Sequence, residues 1–296
     1  MDDCCPTNPV DVRMAEADKR HLQVQPDELP DRHVSMSNRL ARAAQGLNLA
    51  EKRLVALGLA STDSVSGRGL ALGANSGWKM KVTAMEYADT FGVDPTTAYE
   101  QLKTASERLF ERYVRYEVKA RHGLAEKKFR WVSGAVYAQG DGYVELNFSP
   151  EIAPHLLGLR KQFTTYKLRH AAAFDSVYAW RLFEVLKSWQ STGLYSTSIE
   201  AFWEQMEVPP SCRKDFKALR TRVIEPAIAS IVDKTNLLID WTPKRSGSRR
   251  VTGLEFRFGP NPQGRLDMGD ELSALPFHGD EDGETDALDP ASPMNS

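Results

Sequence analysis

The chain has 296 residues, 41% of them hydrophobic, and a formal net charge of −2. That length suits about two domains, and the apolar share is enough for packed cores, which excludes a chain disordered throughout. No apolar run of about 18 residues is present, so no membrane-spanning helix is expected. The acidic opening "MDDCCPTNPVDVRMAEADKR" lacks the apolar core of a secretory signal, and three cysteines, two of them adjacent, cannot build a disulfide framework. A reducing cytoplasm is the expected setting.

The small net charge hides a pattern. Residues 1–33 carry −4 and residues 261–296 carry −8, which leaves +10 on residues 34–260. A basic body between acidic ends favours a polyanionic partner such as nucleic acid.

In chain order, residues 1–34 read as a flexible acidic arm, with four prolines and no helical stripe. "SNRLARAAQGLNLAEKRLVALGLAS" follows, where Leu40, Ala44, Leu47, Leu54 and Leu57 predict one or two amphipathic helices. In "WKMKVTAMEYADTFGV", Thr83 and Glu86 have capping-box spacing and Gly92 is a natural stop. Asp94 and Pro95 suit the N-cap and first position of a longer helix, with Ala98, Leu102, Ala105 and Leu109 inward. "RYVRYEV" and "KFRWVSGAVY" alternate and predict a β-hairpin around "KARHGLAEKK", and "YVELNF" reads as a further strand.

The same order then recurs. "DSVYAWRLFEVLKSWQ" is amphipathic. Thr197 and Glu200 repeat the capping-box spacing at an offset of 114 residues, and Val208 stands where Val93 stood. A longer helix and a second hairpin follow, "NLLIDW" to "RRVTGLEFRF". Helix, capped helix, turn, longer helix and two-stranded wing is the winged-helix order. The expected fold class is α+β, with two tandem winged-helix domains at residues 35–160 and 161–260 and a disordered acidic tail at 261–296.

The candidate reading helix of the second domain is "CRKDFKALRTRVIEPAIASI". On a helical wheel Phe216, Leu219, Val223 and Ala227 share one side, and Lys214, Lys217 and Thr221 point away from it. Arg213 and Arg222 lie on the flanks, and Arg220 lies nearer the core edge. Lysine and arginine there supply phosphate attraction, and arginine can also read guanine, so Arg213 and Arg222 are the first candidates for base reading. The exposed backbone near Ser211 suits a phosphate, and Pro226 predicts a kink. The basic wing tip adds Lys244, Arg245, Arg249 and Arg250. The matching first-domain helix presents Thr96, Thr97, Gln101, Thr104 and Arg108, which fits backbone contact or minor contact with bases. For each set the competing reading is an ordinary solvated polar face.

These stretches resemble the iteron-binding plasmid replication initiators of the Rep-3 type (the RepA/RepE group). The resemblance covers roughly residues 35–259, and its most specific part is "SVYAWRLFEVLKSW", then "TSIEAFWEQMEV", then "FKALRTRVIEPAIASIVDKTNL", then a wing ending "VTGLEFRF". It implies a bacterial, plasmid-encoded protein that binds double-stranded DNA. As a monomer it would occupy direct repeats (iterons) at an origin and promote opening. As a homodimer, joined through the first domain, it would repress its own operator. A host initiator, replicative helicase and chaperone are the further partners implied.

An enzyme is the weaker reading. The six histidines are scattered, no His-x-His pair accompanies a tyrosine nucleophile, and "GRGLALGANSG" lacks the Lys-Ser/Thr of a phosphate loop. No spacing suggests zinc, and no cofactor or metal is expected. Cys212 reads as a buried thiol or, alternatively, an oxidation sensor. A dimeric winged-helix repressor with no initiation role shares every feature except the arrangement of its target.

Overall fold

The computed structural model describes residues 28–61, 78–138, 140–156, 162–247 and 250–262. Most of the expected acidic arm, the "GRGLALGANSG" connector and the acidic tail from residue 263 lie outside them. The arm is shorter than expected. After a 3-10 turn at Leu29–Asp31, strand β1 (His33–Ser37) already belongs to the fold, with Val34 and Met36 buried.

Ser37 caps helix α1 (Asn38–Arg42), its hydroxyl accepting the Leu40 N–H at 3.2 Å. Helix α2 (Leu49–Ser61) departs from the amphipathic expectation, because every residue from Glu51 to Ala60 is buried. A helix covered all round lies inside a fold, so its charges at Glu51 and Lys52 need internal partners.

The first helix–turn–helix forms as read. Strand β2 (Trp78–Thr83) runs into helix α3 (Ala84–Phe91) through a complete capping box, in which Thr83 Oγ1 accepts from Glu86 N–H at 3.1 Å and Glu86 Oε2 accepts from Thr83 N–H at 2.8 Å. Gly92 ends α3 at φ +60°. Helix α4 (Pro95–Phe110) starts with proline, and Asp94 caps the N–H groups of Thr96 and Thr97. Ala98, Leu102, Ala105 and Leu109 are buried along it.

The first hairpin is not the wing. Strands β3 (Tyr113–Ala120) and β4 (Gly123–Arg130) pair only with each other among the strands, turning at Arg121 and His122. The alternation read as one strand breaks at Trp131, and β5 (Val132–Ala138) then pairs with β6 (Tyr143–Phe148), which pairs in turn with β2. The wing of the first domain is therefore β5–β6, and β3–β4 is an inserted hairpin. The chain continues through helix α5 (Ala153–Leu156), strand β7 (Phe163–Lys167), helix α6 (Leu168–Ala172) and helix α7 (Val177–Lys187). β7 lies beyond the junction expected at residue 160, yet it is antiparallel to β1, His33 facing Lys167.

The second unit comprises strand β8 (Leu194–Ser198), helix α8 (Ile199–Gln205), helices α9 (Pro210–Arg213) and α10 (Phe216–Leu219), a π turn (Arg220–Ile224) and helix α11 (Glu225–Lys234). Strands β9 (Leu237–Arg245) and β10 (Val251–Pro260) complete it. The sheet order β8–β10–β9 matches β2–β6–β5. Phe256 faces Tyr195 on one side and Trp241 on the other, with ring centroids 5.7 and 6.3 Å away. Fully buried, Phe256 contributes roughly 2–3 kcal/mol of transfer free energy.

The internal offset is 115 residues, not 114. Ser198, not Thr197, caps α8 by accepting the Ala201 N–H at 3.1 Å. Val93 N–H reaches back to Ala88 and Val208 N–H to Trp203, which equates Gly92 with Glu207. Glu207 has φ +51° and is the only non-glycine residue with positive φ among the described residues. That conformation costs an L-residue about 1–2 kcal/mol.

Candidate nucleic-acid interface

The candidate reading helix is built in pieces. Lys214 and Asp215 break it after α9, and the Asp215 carboxylate caps the Lys217 N–H at 2.9 Å. The amides expected near Ser211 to receive a phosphate therefore do not head the long helix. Pro226 has no N–H for the carbonyl four residues earlier. The chain answers with the π turn, in which Glu225 N–H reaches Arg220 O, so the helix continues past the expected kink. The apolar side is as read, with Leu219, Val223, Ala227 and Ile231 buried and half-buried Phe216 set against Trp241.

The predicted basic residues separate into two groups. Lys214, Lys217 and Arg222 are exposed, as are Arg245 and Arg250 on the wing. None of these five side chains makes an intramolecular hydrogen bond or ion pair among the described residues. Arg213, Lys214, Arg245 and Arg250 border one cleft of about 360 Å³ between the helix start and the wing.

The others are committed within the chain. Arg213 donates through Nε to Val208 O at 2.7 Å and through Nη1 to Glu204 at 2.6 Å, so it braces the turn instead of standing free to read a base. Arg220 is exposed, not at the core edge, and pairs with Glu225 at 2.6 Å. The Thr221 hydroxyl donates back to Lys217 O at 2.9 Å. Lys244 binds Ser196 and Glu255, and with Arg257 it holds the Glu255 carboxyl below its ordinary range. Arg249 lies outside the described residues.

In the first domain Thr96 and Thr97 are exposed, but Asp94 occupies their amides. Gln101 accepts from the Tyr87 hydroxyl at 3.0 Å. Gln101, Thr104 and Arg108 border a groove of about 500 Å³ beside the start of α2. Exposed Glu100 and Glu107 share this helix, so its face is nearly balanced in charge. Cys212 is a free, buried thiol. Among the described residues no group of histidine, cysteine, aspartate or glutamate is arranged to hold a metal, and no helix is long and apolar enough to cross a membrane.

A buried polar network joining α2, α7 and β7 was not foreseen. Lys52 Nζ lies 2.5 Å from Glu184 Oε2 and donates to Gln45 Oε1 at 2.6 Å. Tyr166 donates to the other oxygen of Glu184 at 2.7 Å. Burial pulls the Lys52 ammonium down to about 8, against the Glu184 carboxylate that raises it. The available signal was an arginine and a glutamate, Arg181 and Glu184, within the apolar run of α7.

Two winged helices in tandem, the second with a basic candidate reading helix and wing, define a class of nucleic-acid-binding folds. Among known families, residues 33–187 match "Initiator Replication protein, WH1" and residues 198–258 match "Initiator Rep protein, WH2". The chain belongs to this Rep3 family of initiator replication proteins. It is 30% identical over 220 residues to an uncharacterized 27.6 kDa protein of Escherichia coli, spanning 72% of this chain and 90% of that protein. Its fold is similar to the Pi initiator protein solved in complex with iteron DNA, with a TM-score of 0.55 at 20% identity, covering 77% of this chain and 97% of that one. The WH1 domain of the replication protein MSBI1.176 matches 36% of this chain and 77% of its own at 32% identity and a TM-score of 0.31.

Proposed function

We propose that this chain initiates plasmid replication by binding direct repeats at an origin, with the second domain reading sequence and the first gripping backbone. The observation that carries this reading is the set of five uncommitted cations, Lys214, Lys217, Arg222, Arg245 and Arg250, on the helix and wing of a family whose structural relative was solved with iteron DNA. Phosphate neutralisation by such side chains supplies affinity, and Arg222 is the one arginine on the helix left free to read a base.

In this reading the monomer occupies one repeat and helps open the origin. A homodimer formed through the first domain represses the chain's own gene. The setting is the bacterial cytoplasm, and a host initiator, helicase and chaperone act with it. In this reading the domain boundary falls between residues 187 and 198 and not at residue 160, which the separation of the two family matches supports.

The test is a gel-shift titration on the DNA upstream of the gene, with competitor at two salt concentrations. One retarded band per direct repeat is the expected result. A single band that depends on an inverted repeat alone would make the protein a repressor instead.

A further inference from the structure

Helix α7 is buried round its whole circumference, every residue from Ala179 to Leu186 lying out of solvent. It packs against α1 and β7 and also against α11, so the two winged helices share it. On it sits Arg181, 1% exposed. Its Nη2 donates to Ala43 O, just past the end of α1, and to Gln205 O, at the end of α8. These carbonyls come from different winged helices, and the last carbonyls of any helix lack partners within it.

Two residues beyond Gln205, the Glu207 carboxylate accepts the N–H of Gly46 at 2.8 Å. The first-domain segment from Ala43 to Gly46 is thus clasped by Arg181 and Glu207, immediately ahead of the second reading helix. Glu207 does this from a left-handed backbone, where its first-domain counterpart is Gly92. Glycine serves the turn alone at no steric cost. A strained side chain kept at such a turn points to a role outside it.

We propose that Glu207, with Arg181 behind it, is a positioning residue that locks the two DNA-reading units at one separation and rotation, so that the spacing between the two parts of the target is itself read. This rests on the DNA-binding function proposed above. Duplex geometry makes the requirement sharp. One inserted base pair moves the two parts about 3.4 Å apart and turns them by about 35°. Two rigidly joined readers cannot follow that change, and loosely joined readers can.

The discriminating variant is Glu207→Gly, which removes the carboxylate and suits the backbone conformation, so folding is expected to survive. Glu207→Gln keeps an acceptor and serves as the rescue. The probes are the duplex that the wild-type protein selects from a randomised pool, and the same duplex with one base pair inserted between the two segments it protects from cleavage. In an anisotropy titration, wild type and Glu207→Gln are expected to bind the inserted duplex about tenfold more weakly, and Glu207→Gly no more than about twofold. A purely structural defect would weaken both duplexes by one factor and leave the ratio unchanged. Glu207→Gly with the wild-type ratio overturns the positioning role alone. Wild-type protein that protects one undivided segment overturns the spacing device alone, and wild-type protein that selects no duplex overturns the DNA-reading function as well.

Discussion

Lys52 and Glu184 form an ion pair at 2.5 Å in which neither side chain is more than 1% exposed. Two charges so placed are costly to desolvate, and they persist because Gln45 and Tyr166 complete their hydrogen bonds. Removing one partner strands the other. Lys52→Met or Glu184→Leu is expected to cost about 3–5 kcal/mol in denaturant unfolding, and the double replacement less than either single one. Additive losses would show that the pair is not coupled.

The aromatic ladder across the second wing meets the candidate reading helix where Trp241 packs on Phe216. Phe256→Ala removes the ring that both Tyr195 and Trp241 stack on, from a site with no exposure. The expected loss is about 3–5 kcal/mol. A loss below about 1 kcal/mol, the scale of an ordinary surface change, would mean that the ladder carries little.

The capping of α8 distinguishes the two internal offsets. Ser198→Ala is expected to lower stability by about 1 kcal/mol, while Thr197→Ala, whose hydroxyl donates to Ser198 O and caps no helix N–H, changes it by less than about half of that. The reverse order would restore the offset of 114.

Much of this fold was legible because its signals are local. The box at Thr83 and Glu86, the stop at Gly92 and the start at Asp94–Pro95 each act within four residues, and all three formed. The first wing was misread because alternation runs unbroken from Phe129 to Trp131. Both rings are buried, one in the inserted hairpin and the other at the corner after it, and periodicity does not mark a corner. The basic face was legible as a set of residue types. Which cations stay free was not, because Glu204, Glu225 and Glu255 claim Arg213, Arg220 and Lys244 through contacts that depend on the fold. The clasp of Arg181 on Ala43 spans 138 residues and has no local signature.

His155 gives the fold an acid-sensitive joint. Its ring stacks on Phe129 at 5.9 Å and meets Ser37 Oγ through Nδ1 at 2.9 Å, with Tyr116 beside it. Burial first, then the charges of Lys127 and Arg39, lower its pKa below the ordinary value near 6.5. Below about 6.5 the unfolded chain therefore takes up a proton that the folded chain resists. Stability is complete above that pH and falls as pH drops. Thermal melts between about pH 7 and about pH 5 are expected to show a loss that His155→Gln reduces. Equal slopes in the two proteins would contradict this.

The central claim is that the uncommitted cations of the second domain read DNA. The most direct measurement is the affinity of wild type and of the Lys217→Ala, Arg222→Ala double variant for one selected duplex, titrated across salt concentrations, with melting temperature as the folding control. The account predicts specific binding weakened by about a hundredfold, a log–log salt slope smaller by about two, and unchanged melting. Unchanged affinity and slope in a folded double variant would contradict it.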